Sequence, residues 1–282
     1  QQSTGIQNLG ALSGDDQSYA LSINNAGQVT GGSQGPADAA GSGFLWQSNT
    51  GLIGIGPGGD FLVNPFGING DGQMYGMSSL GGFIYSTTSG FTVAKVPGTT
   101  VHAVFALNQQ GQMVVPNSSN DDVGMEFYSP GQGLIPIRNS VGWDVSVIAG
   151  MDEQGTVIGT IPTPITGNSQ AFIWNQAGGM TVLTPNPKDS SWATGINELG
   201  QVVGGASLDG QPFFPFLYEN GMLYDLMPCP TDTATDWSNL NLTAINDNGD
   251  IAGYGLHDGQ EEAFLLTPTD PTSIPEPAAI LL

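Results

Sequence analysis

The chain has 282 residues, of which 43 are Gly, 19 are Pro, 39% are hydrophobic and only 10% are charged, a balance that suits a folded, turn-rich protein rather than a disordered tail. Its 25 acidic residues face just three cations, Lys95, Arg138 and Lys188, for a net charge of −22. Nucleic acid and anionic membrane surfaces are disfavoured as partners, because both need clustered Lys and Arg; the acidity serves solubility, although it also attracts divalent cations. Cys229 is the single cysteine, so neither an internal disulfide nor a cysteine-based metal site is available. No stretch holds the roughly 18 apolar residues that span a bilayer. The start at Gln1 rather than Met leads us to expect that a signal peptide has been removed.

In chain order, the first element is a short strand, Gly5-Ile6-Gln7-Asn8-Leu9, which stands apart from the repeated units. Six copies of one unit come next. Each opens on a four-residue turn inside a run of strand formers: Asn24 to Gly27, Asn69 to Gly72, Asn108 to Gly111, Asp152 to Gly155, Asn197 to Gly200 and Asn246 to Gly249. The first turn positions are spaced by 45, 39, 44, 45 and 49 residues. Asn or Asp at the first position of a type I turn bonds back to the backbone, and the fourth position falls in the left-handed region where only Gly is unstrained. Such a turn joins two antiparallel strands, so each copy begins with a β-hairpin. Two residues before each turn the side chain is small (Ser22, Gly67, Ala106, Gly150, Gly195, Ala244), which predicts close approach of a neighbouring backbone.

A third strand follows in each copy: Phe44-Leu45-Trp46, Phe83-Ile84-Tyr85, Glu126-Phe127-Tyr128, Phe172-Ile173-Trp174, Phe216-Leu217-Tyr218 and Phe264-Leu265-Leu266. These are apolar at successive positions, so both faces of the strand are covered, as in a blade packed between two other blades. A fourth strand begins at a turn glycine, Gly51, Gly90, Gly133, Gly179 or Gly221, in five of the six copies. The sixth copy runs instead into Thr267-Pro268-Thr269-Asp270-Pro271. The N-terminal strand matches the spelling of the missing piece. We therefore expect an all-β, six-bladed β-propeller with four-stranded blades over residues 1–266. Its ring is expected to close where Ile6 and Leu9 pair with the strand containing Leu265, removing the free sheet edges. Residues 267–282 form a proline-rich tail.

The hairpin and the following strand resemble the HAF-type extracellular repeat family, whose units pair an Ile-Asn-x-x-Gly-Gln-Val-Val-Gly hairpin with an Ala-Phe-Leu-Trp strand. The fifth copy is closest, with Gly195-Ile196-Asn197 leading into Gly200-Gln201-Val202-Val203-Gly204. The third departs most, having Val115 for the closing glycine and Glu126 for the first aromatic, so a local distortion of that blade is expected. The resemblance covers about Tyr19 to Leu266 and implies secretion and a repeat fold, with no catalytic residues to carry over. Ser273-Ile274-Pro275-Glu276-Pro277, followed by Ala278 to Leu282, is similar to the opening of a PEP-CTERM sorting signal. That resemblance implies export in a biofilm-forming Gram-negative bacterium; such signals continue into a membrane helix and a basic end, of which the sequence gives the five apolar residues Ala278 to Leu282.

Chemistry-bearing residues are sparse. His102, His257 and Cys229 make no metal-ligand spacing. Asn246-Asp247-Asn248-Gly249-Asp250 looks like part of a calcium loop but lacks the downstream bidentate Glu. Asp15-Asp16, Asp121-Asp122 and Glu261-Glu262 are adjacent acids, whose side chains point apart on a strand. No nucleophile elbow, phosphate loop or zinc-protease motif occurs. No catalytic, cofactor-binding or metal site is expected. The expected function is structural or adhesive, outside the cell, with self-assembly into a polymer through the tail residues Ile274, Pro275, Pro277, Ile280 and Leu281. Carbohydrate binding is the alternative, with an extracellular polysaccharide as partner: Trp143, Trp192 and Trp237 fall between repeats, where they either line a sugar surface or pack between blades.

Overall fold

The computed structural model describes residues 7–35, 41–56, 62–117, 124–138, 145, 147–163, 167–227, 237–268 and 279–280. They form six antiparallel sheets, grouped into two compact units that divide between Pro136 and Ile137. The first unit holds β1 (Gln17–Ile23), β2 (Val29–Gln34), β3 (Ser42–Gln47) and β4 (Gly51–Ile55) as blade one. Blade two is β5 (Val63–Ile68), β6 (Met74–Ser78), β7 (Gly81–Ser86) and β8 (Gly90–Val93). Blade three is β9 (Ala106–Leu107), β10 (Met113–Pro116), β11 (Met125–Ser129) and β12 (Gly133–Ile137).

The second unit continues with β13 (Val147–Met151), β14 (Val157–Pro162), β15 (Ser169–Asn175) and β16 (Gly179–Val182) as blade four. Blade five is β17 (Ser190–Ile196), β18 (Val202–Ser207), β19 (Phe214–Glu219) and β20 (Met222–Asp225). Blade six has three strands among the described residues, β21 (Trp237–Ile245), β22 (Ile251–His257) and β23 (Gln260–Leu266). The last element, β24 (Ala279–Ile280), lies in the tail and joins the sheet of blade five. No helix among the described residues is long and apolar enough to cross a membrane.

All six turn glycines have positive φ, from 72° at Gly111 to 80° at Gly249, as the repeat spelling requires. A second constraint sits one step further along. In five blades the first strand carries a bulge, at Leu21, Phe66, Ala149, Thr194 and Thr243, where the register slips by one residue. Beside it the second strand has a glycine (Gly31, Gly76, Gly159, Gly204, Gly253) paired with the Phe of the third strand (Phe44, Phe83, Phe172, Phe216, Phe264). A Cβ at any of these glycines would overlap a carbonyl oxygen of the bulged strand, that of Trp192 in the case of Gly204. The Phe ring fills the space left open over Gly31, Gly159, Gly204 and Gly253, and Phe44, Phe83, Phe172 and Phe216 are fully buried.

Blade three lacks both halves of this arrangement. Val115 pairs with Glu126, β9 is only two residues long, and no bulge breaks its register with β10. Val115 is buried at the position that glycine holds in the other blades. Small residues before the turns also act as expected at Gly195, where a Cβ would sit 3.1 Å from Cα of Ala244 in the next blade.

Clusters of apolar side chains fill the space between neighbouring blades within each unit. Leu45 of blade one shares a cluster with Val63 and Ile68 of blade two, and Leu217 of blade five shares one with Leu242 and Ile245 of blade six. At the expected ring closure, Leu9 belongs to no strand and Ile6 lies outside the described residues. β23 pairs on one side with β22 and has no strand on its other side among the described residues.

Replacing Gly204 with Val forces a branched side chain against the Trp192 carbonyl and the Phe216 ring. The expected loss is about 3 kcal/mol, the upper end for overpacking, read as a lower urea midpoint at unchanged slope.

Candidate functional site

The side chain of the first turn residue builds each turn. Oδ1 of Asn24 accepts the backbone N–H of Gln28 at 3.0 Å, while its Nδ2 donates to Oε1 of the Gln28 side chain at 2.7 Å. The same double contact joins Asn69 to Gln73, Asn108 to Gln112 and Asn197 to Gln201. In blade six the partner is Asp250, and in blade four Asp152 Oδ1 accepts the N–H of Thr156. Asn69, Asn108, Asp152 and Asn197 are buried. The partner position was not singled out from sequence, although Gln recurs there in four of six copies.

Within each unit these turns touch one another. Asn24 Nδ2 donates to the Asn69 carbonyl at 3.0 Å, and Asn197 Nδ2 donates to the Asn246 carbonyl at 2.9 Å. In the second unit the next turn residue adds a chain of carboxylates. The N–H of Glu153 donates to Oε2 of Glu198 at 3.0 Å, and the N–H of Glu198 donates to Oδ1 of Asp247 at 2.9 Å. Desolvation raises the pKa of Glu198, and the charges of Asp152, Glu153 and Asp247 push it the same way. Desolvation also raises Asp152, against the lowering effect of its hydrogen bonds to Thr156, Gln154 and Gly155. This acidic row was not foreseen, although its signal, an acid after the first turn residue in copies four, five and six, is in the sequence.

The other candidates are dispersed. His257 faces Glu262 with 3.1 Å between Nδ1 and Oε2, and its ring stacks on Trp237 at 4.7 Å. His102 stands with Gly98, Thr99 and Thr100 around an open depression that holds no second titratable group. In the Asn246–Asp250 loop, Asn246 Oδ1 accepts from Asn248 and Asp250 and Asp250 Oδ2 accepts from Asn246, while Asp247 Oδ1 accepts from Glu198 of blade five. Among the described residues no three His, Cys, Asp or Glu side chains are grouped to hold a metal ion. Asp121, Asp122, Trp143 and Cys229 lie outside the described residues. Trp192 is half-buried over Gly205 and tilts against Phe213 at 5.0 Å, so it packs within its own blade.

The tail contributes one described element. β24 runs antiparallel to β20, with Ile280 opposite Leu223 and Ala279 opposite Tyr224, and extends blade five to five strands. Ile274, Pro275, Pro277 and Leu281 lie outside the described residues.

Among solved structures, the chain is similar to the β-propeller domain of the Trilobed protease from Pyrococcus furiosus, described as having an open velcro topology. The TM-score is 0.57 at 9% identity, covering 91% of this chain and 82% of that one. A gluconolactonase from Xanthomonas campestris, XC5397, aligns at a TM-score of 0.45 and 10% identity over 90% of this chain and 88% of its own. No family model matches the chain, and neither does any curated protein. The fold is thus all-β, a six-bladed β-propeller with four-stranded antiparallel blades.

Two outcomes test the turns. Asn197→Ala removes the acceptor of the Gln201 N–H and one of the two donors to the Asn246 carbonyl, and costs about 2 kcal/mol in urea unfolding. The pKa values of Glu198 and Asp152 are raised, so the folded state binds more protons than the unfolded state from the usual carboxylate range upward. Stability therefore falls as pH rises through that window, and the urea midpoint is higher at pH 5 than at pH 7. Glu198→Gln retains an oxygen for the Glu153 N–H and flattens this dependence.

Proposed function

We propose that this protein is a non-enzymatic, secreted structural or adhesive component of an extracellular matrix, which self-assembles into a filament or surface polymer through its terminal segments. The observation that carries the reading is β24: a tail segment beyond the last repeat adds as a strand to a sheet edge of blade five. A strand that adds to an edge in its own chain has the geometry to add to the same edge of a neighbour, which is a common route of association between folded subunits. The resemblance of the repeats to HAF-type extracellular proteins and of the tail to a PEP-CTERM signal supports a location outside the cell, in a Gram-negative bacterium. So does a composition with three cations in 282 residues.

A second reading, a carbohydrate-binding propeller, is favoured by Phe213, which is 61% exposed beside Trp192 and offers an aromatic ledge on which a sugar ring stacks. Phe213→Ala then abolishes retention on polysaccharide without changing the fold; unchanged retention removes the reading.

Truncation after Pro268 tests the structural role. The shortened protein is expected to keep its β-sheet circular dichroism and to remain monomeric in electron micrographs, where the full chain forms polymers. Polymers of the same form from the truncated chain refute the tail's part in assembly.

A further inference from the structure

Blades five and six belong to one compact unit, and their turns touch through Asn197 and Asn246. From those turns the two sheets run side by side. Val203 and Leu217 of blade five share an apolar cluster with Leu242, Ile251 and Phe264 of blade six, which identifies the faces that oppose each other. Side chains alternate along a strand, so each opposed face can be followed from this cluster toward the end remote from the turns.

On blade five, the step from Val203 leads to Gly205, which pairs with Trp192. The Trp192 ring lies across that glycine, where a Cβ would stand within 2.9 Å of three ring atoms, and it tilts against Phe213 at 5.0 Å. On blade six, the steps from Gly253 lead to Gly255, paired with Glu262, and to His257, paired with Trp237. Trp237 meets Phe264 of the cluster edge-on at 5.5 Å and stacks on His257 at 4.7 Å, and His257 Nδ1 faces Glu262 Oε2 at 3.1 Å. Beyond the buried cluster, the two opposed walls therefore turn aromatic and polar. Phe213 is 61% exposed, Trp192 and Trp237 are half-buried, and the side chains of His257 and Glu262 are 36% and 49% exposed.

We propose that this strip between blades five and six binds an uncharged glycan, held by Trp192 and Phe213 on one wall and by Trp237 with the His257–Glu262 pair on the other. The inference rests on the carbohydrate-binding reading and deepens it: Phe213 is one part of a site built by two blades, and the ligand carries no net charge. A pyranose is the occupant because its two kinds of surface match. Its C–H face packs on an aromatic ring, and its hydroxyls take donors and acceptors placed at the ring's edge. The strip supplies both, with the exposed Lys188–Asp209 pair, 3.7 Å apart, at the same end of blade five. An apolar peptide would desolvate those charged groups without offering them partners. A polyanionic sugar is repelled by a chain of net charge −22, in which the one lysine at this end already faces Asp209. A neutral polysaccharide meets neither penalty.

The test passes the full-length protein over cellulose, chitin and starch as neutral matrices and over cross-linked alginate as an anionic one. Retention is expected on a neutral matrix, reversed by the soluble oligosaccharide of the same sugar, and absent on alginate. On the matrix that retains the protein, Trp237→Ala and Glu262→Ala are each expected to weaken binding about tenfold. Glu262 is exposed, so Glu262→Ala leaves the urea midpoint unchanged and decides the outcome if Trp237→Ala unfolds.

Loss of retention in Glu262→Ala, with polymers like those of the parent in electron micrographs, upholds the site and separates it from assembly. Unchanged retention in Glu262→Ala, with loss in Phe213→Ala, overturns the two-blade site and leaves the ledge on blade five standing. Equal retention on alginate overturns the uncharged class of ligand. No retention on any matrix removes the inference together with the carbohydrate-binding reading.

Discussion

A glycine held flat between a bulged carbonyl and a phenylalanine ring is the contact on which five of the six blades depend. The bulge brings the backbone of the first strand over the second, and only hydrogen at Cα leaves room for it. The same absence of a side chain opens a pocket for the Phe of the third strand, so three strands are locked by one residue pair. Because the pair lies close beyond the asparagine turn, the turn sets its register and the ring fixes its depth. Blade three shows the dependence by exception. With Val115 and Glu126 in place of the pair, the bulge is gone and the first strand shortens to two residues.

The turns supply a different kind of order. An asparagine or aspartate that satisfies its own turn leaves a donor or carbonyl for the next turn, as between Asn197 and Asn246. Between blades four and five a buried polar contact adds to the apolar packing, with Ser191 Oγ accepting the Ala171 N–H. The carboxylate row of Glu198 and Asp247 follows the same geometry with charge added, so acids that repel one another are held close by backbone N–H groups. In a chain with so few cations, proton uptake is the readiest relief for that repulsion.

Much of the fold was legible in the primary structure because its unit is local. The turn glycine, the strand triplets and the departures of the third copy are each spelled within a dozen residues. The side-chain partner of the turn asparagine, Gln28 and its equivalents, was also present as a recurring letter but had no assigned role until the hydrogen bonds were seen. The tail was legible only in part. Its apolar, extended character pointed to strand addition, whereas its choice of β20 as partner rests on backbone groups that any sequence presents alike.

The amino-acid order alone determined the number of blades, their strand order, the turn chemistry and the lack of any recognisable catalytic motif, because each is written in short-range pattern. Tertiary structure decided which members of a repeated apolar position are buried and which are exposed. Ile23 and Leu265 carry the same letters as their buried equivalents, and nothing in those letters tells an end blade from an inner one. It also decided that three acids far apart in the chain stand in one row, since that proximity arises only when hairpins stack blade upon blade.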